Sequence, residues 1–242
     1  MARGISVSVS KEGAELLRSR GSWTLITGFP GFGYVGTIAV RYLVKKLNAV
    51  KVGNVFTRYM PDFTALDDYG MVTPFEIFVH VGSGTIYLLN NVIPYTPERQ
   101  SFVEAVVDWF TSVGGSRAIL IGGLNSRFRM GGEELSWLCL NNCGWNLQEP
   151  PLPKGLYIVG PLALLTMVLE SRKIPTLILL PYTDPGKYDP KAASVAVDRV
   201  SKLLELGVDV SELLEHSKLI EEAEEKLKEA IKESESRVRM HI

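Results

Sequence analysis

Histidine and cysteine are scarce in this chain, three and two among 242 residues. Two cysteines cannot build the disulfide framework of a small secreted domain, so the count points to a reduced, cytoplasmic chain. Cys139 and Cys143 stand four apart on a stretch read as helix, residues 131–143, with no further soft ligand near them. Zinc normally takes four ligands, so the expectation there is a pair of small buried hydrophobes. Three histidines, His80, His216 and His241, leave few general bases, and no Gly-x-Ser-x-Gly elbow presents a serine nucleophile. The last two lie in a charged tail, away from any pocket the sequence implies. Excess charge is missing too: 26 Lys and Arg oppose 27 Asp and Glu, a net charge of -1. A nucleic-acid binder needs a basic footprint to displace counterions, and this balance supplies none. No apolar run approaches the ~18 residues of a membrane span, and the first residues lack the three regions of a signal peptide. The expectation is a protein free of cofactors and metals that binds neither nucleic acid nor membrane.

What is present is alternation of short apolar runs with amphipathic ones, the pattern of βαβ units. Strands are predicted at residues 5–9, 23–29, 50–56, 75–81, 85–89, 118–121, 156–159 and 176–180. Helices are predicted at 34–47, 97–113 and 162–169. The resulting fold class is α/β, one sheet with helices on both faces in three layers. A turn-rich connector at 184–190 separates an α/β core, residues 1–188, from a C-terminal helical extension, residues 189–242. Asp189 is a good N-cap and Pro190 a good first helical residue; Gly207 is read as closing that helix, and Ser211 as opening the last one. From residue 211 onward nine Glu and six Lys or Arg crowd 32 positions. Leu213, Ile220 and Leu227 repeat at seven with Ala223 and Ala230 between them, a narrow seam that either packs back on the core or meets a partner.

The most conspicuous motif runs Gly28-Phe29-Pro30-Gly31-Phe32-Gly33-Tyr34-Val35-Gly36 between a predicted strand and a predicted helix. Gly31, Gly33 and Gly36 formally match a dinucleotide fingerprint, in which glycines let pyrophosphate approach a helix N-terminus. The acid that should follow to hold a ribose is absent; Arg58 stands in that region instead, and no P-loop Lys-Ser/Thr follows. Gly28, Gly31, Gly33 and Gly36 therefore serve either close strand–helix packing or a ligand, and a nucleotide- or nucleoside-binding enzyme or sensor is the alternative function. Glu76 and His80 share one face of their strand, with Asp67 and Asp68 in a preceding loop. A hard-metal or acid–base site can be drawn from them, but the spacing equally suits the wetter face of a sheet. Residues 59–98 contain no Lys or Arg, an acid-only stretch that suits solvent or a basic protein partner.

The order of these elements resembles the archaeal members of the proteasome assembly chaperone two family. The resemblance is carried by residues 28–42, by Gly160-Pro161-Leu162 with residues 174–180, by Asp189-Pro190-Lys191-Ala192-Ala193, and by residues 206–214 leading into the Glu/Lys helix. It covers residues 22–231. It implies a nucleoside-phosphorylase-like three-layer fold, no catalysis, a homo-oligomer, and proteasome α-subunits as partners. Some proteasome-binding factors, among them a chaperone of this family, end in a hydrophobic residue, a tyrosine and any residue. That tail inserts between α-subunits, where its carboxylate pairs with lysine. Here Met240 and Ile242 match the flanking positions, while His241 stands where tyrosine is expected.

Overall fold

Along the central strands successive residues enter two different cores, as a sheet covered on both faces requires. Leu25, Ile77, Leu88, Leu120 and Ile178 face one core; Ile26, Phe78, Leu89, Ile121 and Leu179 face the other. The computed structural model describes residues 4–222. Its strands are β1 (Ser6–Val9), β2 (Trp23–Gly28), β3 (Val50–Phe56), β4 (Ala65–Asp67), β5 (Gly70–Val72), β6 (Phe75–His80), β7 (Thr85–Asn90), β8 (Gly115–Ile121), β9 (Leu124–Asn125), β10 (Leu135–Leu140) and β11 (Thr176–Thr183). The α-helices are α1 (Lys11–Arg18), α2 (Val35–Lys46), α3 (Arg99–Ser112), α4 (Pro161–Ser171) and α5 (Pro190–Leu203), and residues 211–222 are helical as well. Nine strands form one mixed sheet in the order β1-β3-β6-β7-β2-β8-β11-β10, with β9 added beside β11; β4 and β5 make a separate hairpin.

Helices α3 and α4 cover the first core through Phe102, Val106, Phe110, Leu165 and Leu169. The second core is covered by α2 and α5 through Val35, Ala39, Leu43, Ala193, Ala196 and Val200. Leu213, from residues 211–222, reaches the same core. Asp189 caps α5, its Oδ1 accepting from the Ala192 N–H at 2.8 Å, and Pro190 opens the helix. That helix ends at Leu203, with Glu205 in the left-handed region, so Gly207 lies beyond its end rather than closing it. Among the described residues no helix is long and apolar enough to cross a membrane.

Two predicted elements differ. Residues 131–143 are not a helix: Leu135–Leu140 is a strand, paired antiparallel with β11 from Leu135↔Pro181 to Leu140↔Thr176. A short apolar run fits either period, and here the backbone groups along the outer side of β11 decide it. Asn141 and Asn142 then take positive φ and turn the chain back, so that Cys143 meets Cys139 in a disulfide with Cα atoms 5.6 Å apart. The cysteines are thus bonded to each other rather than being two separate hydrophobes. The returning chain runs along the outer edge of β10, where Pro151 bridges to Trp137 and the Leu152 N–H donates to the Trp137 carbonyl at 2.7 Å. Residues 156–159 belong to no strand; left-handed glycines at 155 and 160 bound them, and they cross the top of the sheet as a loop.

Candidate functional site: the rim at the carboxyl ends of the strands

Strands β2, β7, β8 and β11 run parallel, and β3 points the same way because it is antiparallel to β6, which is antiparallel to β7. The loops that leave these five strands therefore gather at one end of the sheet, where open α/β folds place ligands and partners. They carry an unusual number of exposed large apolar and aromatic side chains: Phe32 and Tyr34 after β2, Tyr59 and Phe63 after β3, Ile93 and Tyr95 after β7, Phe128 and Met130 after β8, and Tyr188 after β11. Tyr157 and Val159, just before α4, join them; Tyr157 is 85% exposed. Many touch. The Tyr59 and Tyr95 rings lie 5.6 Å apart, and Tyr34 and Tyr188 lie 6.2 Å apart. Tyr188 also meets His216 at 6.2 Å, so His216 belongs to the rim and not to a remote tail. Burial raises the Tyr188 phenol above the ordinary tyrosine range. Contiguous exposed apolar surface of this kind marks a contact face.

A cleft of about 220 Å³ opens within the rim. Its floor is the ends of β2, β8 and β11; its walls are Phe29, Phe32, Ile93, Leu124, Val159 and Leu162. Arg99 is the single charged residue lining it. Sequence reasoning missed this residue, although Arg99 is the first cation after the acid-only stretch.

The glycine motif sits beneath the cleft and serves the backbone first. A Cβ on Gly28 would run into the Ile121 carbonyl oxygen and come within 2.6 Å of the Gly36 Cα; one on Gly36 would lie 2.5 Å from the same oxygen. Gly33 has φ 64° and abuts the Thr183 hydroxyl. Strand β2, the end of β8 and the start of α2 thus fill one another at Gly28 and Gly36, and Gly33 closes against the end of β11, so these three glycines serve close packing. Gly31 differs, since a Cβ there would meet nothing closer than Phe29 O at 3.8 Å, and it lines the cleft.

The other sequence candidates are dispersed. Glu76 is not on a wet face: it is fully buried and hydrogen-bonded by Lys51, Tyr69 and Asn91. His80, at the far end of β6, has its Nδ1 2.7 Å from the Ser83 hydroxyl and shares no partner with Glu76. Asp67 lies on β4 and pairs with Arg41, while Asp68 pairs with Lys45. Arg58 stacks over Tyr59, 5.3 Å from the ring centre. Among the described residues no group of three or more His, Cys, Asp or Glu is placed to hold a metal ion. Met240, His241 and Ile242 lie outside the described residues.

Against known proteins, the sequence profile of the PAC2 family matches residues 25–228. The uncharacterized protein MJ1210 of Methanocaldococcus jannaschii is 26% identical over 216 residues, covering 84% of this chain and 82% of that one. Among solved structures, Pyrococcus furiosus PbaA, described as an archaeal homolog of proteasome-assembly chaperone, superposes with a TM-score of 0.79 at 20% identity, covering 99% of this chain and 98% of its own. PbaB from the same organism, described as an archaeal proteasome activator, gives 0.73 at 19%, covering 93% and 99%. At such identities the two structures speak for the fold. The profile spans most of the chain, and the rim and glycine motif lie within its reach: the chain belongs to the PAC2 family.

Proposed function

We propose that this chain is a non-catalytic, homo-oligomeric chaperone or adaptor that assists assembly of, or binds to, an archaeal-type proteasome α-ring in the cytoplasm. The observation that carries the proposal is the rim: five strand-end loops of one PAC2-family body present a run of exposed aromatic and aliphatic side chains. That surface suits another protein better than a substrate. The descriptions of PbaA as a chaperone homolog and of PbaB as a proteasome activator support the same direction. On this reading the three-layer body is a nucleoside-phosphorylase-like frame used for its surface. The segment Met240-His241-Ile242 adds a second contact, in which His241 takes the place of a tyrosine ring between α-subunits.

Gel filtration and pull-down with purified proteasome α-subunits, at low salt and micromolar concentration, test the proposal. Co-elution of full-length protein is expected, and weaker co-elution when residues 240–242 are removed. Failure of the intact protein to bind ends the proteasome reading. Equal binding with and without residues 240–242 ends only the tail contact and leaves the rim.

A further inference from the structure

We infer that the cleft at the strand ends is a binding site for a carboxylate attached to a compact apolar group, with Arg99 as the carboxylate's partner. The inference stands apart from the proteasome reading, since it rests on the cleft alone.

The first ground is chemical balance. Phe29, Ile93, Leu124, Val159, Leu162 and Leu180 give the cleft an apolar interior, and among its lining residues no Asp or Glu faces Arg99. The Arg99 Nε–H donates to the Pro94 carbonyl at 3.0 Å, which fixes the guanidinium plane. The end-on pair of Nη groups has no hydrogen-bonding or ion-pair partner among the described residues. The neighbouring acid is engaged elsewhere: Glu98 is buried and accepts from the Tyr59 N–H at 3.2 and 3.3 Å. A fixed, planar, uncompensated guanidinium beside apolar walls is complementary to a carboxylate, which it meets bidentately, rather than to a neutral group.

The second ground is the chain entering α4. Gly160, Pro161 and Leu162 line the cleft, and Gly160 supplies no side-chain cap to this eleven-residue helix. Pro161 has no N–H, and the Ala163 and Leu164 N–H groups donate to the Gly160 carbonyl at 3.1 and 3.4 Å, so what the helix contributes is its dipole, whose positive end adds to the field of Arg99.

Size limits the occupant. About 220 Å³ is small beside the ~300–1,000 Å³ of ordinary small-molecule pockets, so the occupant is a short branched or aromatic acid. A nucleotide is too large and too polar for these walls. The same chemistry occurs in a free small acid and in the terminal residue of a peptide that ends in an apolar side chain.

Isothermal titration of the full chain with 4-methylpentanoate and benzoate, against 4-methylpentanamide, tests the site. Saturable binding of at least one acid and at least tenfold weaker binding of the amide are expected. Arg99→Gln should weaken the acid about tenfold or more, and Arg99→Lys less, because lysine keeps the charge without the fork. The pentapeptide Val-Arg-Met-His-Ile, with a free or an amidated end, separates the sources. Tighter binding of the free peptide than of either acid assigns a peptide end, and binding of the acids alone assigns a free metabolite. No saturable binding of acid or free peptide up to ~10 mM, or equal binding of acid and amide, overturns the inference; the second comparison needs no variant to fold. Undiminished binding by a folded Arg99→Gln protein overturns it too.

Discussion

The carboxylate of Glu76, fully buried on β6, receives a hydrogen bond from Lys51 Nζ on the adjacent strand β3 at 2.5 Å. Tyr69 and Asn91 each donate to the other carboxylate oxygen at 2.8 Å, and Lys51 also reaches the Met71 carbonyl. The β4–β5 hairpin is thereby fastened to the main sheet through one buried charge. A buried ion pair adds little over a matched apolar pair, but removing one partner strands the other. Lys51→Met is expected to destabilise the protein by about 3 kcal/mol or more, and Lys51→Met with Glu76→Gln by markedly less. Urea unfolding of the two variants checks this; an undamaged single variant would show that the pair contributes nothing.

The tyrosines of this region set the alkaline limit. Burial, followed by the hydrogen bond to Glu76, raises the Tyr69 phenol well above its ordinary value. Burial also pushes Tyr87 up to about 12. For a raised pKa the stabilisation is complete below the unfolded value near 10. It is lost as pH climbs through the folded value, because the unfolded chain ionises first. Stability should therefore fall between pH 10 and 12, by up to about 1.4 kcal/mol per pH unit from the buried Tyr87 and by less from the half-buried Tyr69, which solvent screens. Melting temperatures across this range should fall less steeply for Tyr87→Phe than for the native chain, and parallel curves would refute the assignment.

The glycine motif separates into two classes by the space each residue has. At Gly36 a Cβ would meet backbone atoms of β8 and β2, which cannot swing aside, so Gly36→Ala should cost about 2–3 kcal/mol. At Gly31 φ is negative, -142°, and a Cβ has room, so Gly31→Ala should stay within about 0.5 kcal/mol of native. Denaturant midpoints for the two variants make the comparison, and equal costs would show that the β2–α2 crossing is looser than described.

The Cys139–Cys143 bridge closes a short loop, and the chain-entropy model assigns such a loop about 2 kcal/mol. The unreduced protein, denatured and treated with a thiol reagent, should show no free thiol. Two free thiols would remove the bridge. Reductant should lower the melting temperature.

Much of the body was legible from periodicity. The runs at β2, β3, β6, β7 and β11 are apolar and β-rich, and the stripe of α2 and the Asp189-Pro190 start of α5 follow helix rules. Other elements escaped for identifiable reasons. Helix α1 buries only Gly13 and Leu17, too little for a stripe, and begins on a Ser10 cap that reads equally as strand alternation. In β10 the run Leu-Ser-Trp-Leu-Cys-Leu suits both periods, and its state is settled by a neighbour far away in sequence. Glu76 looked solvent-facing because alternation reports which face a residue takes, not whether a hairpin lies over that face. Arg99 gave no signal beyond being the first cation after a long acidic stretch; the apolar residues around it come from five separate stretches of the chain, strand ends as well as loops.

The chain that returns from the disulfide also limits how copies of this molecule can meet. Pro151 lies against the outside of β10 and offers no N–H, so that side of the sheet cannot be extended by another strand. Continuous sheets running from copy to copy, the route to fibres as well as to some rings, are closed at that end. Among the described residues, any homo-oligomer of this protein would join through side-chain surfaces, the four-residue strand β1 at the opposite edge or the open edges of the β4–β5 hairpin.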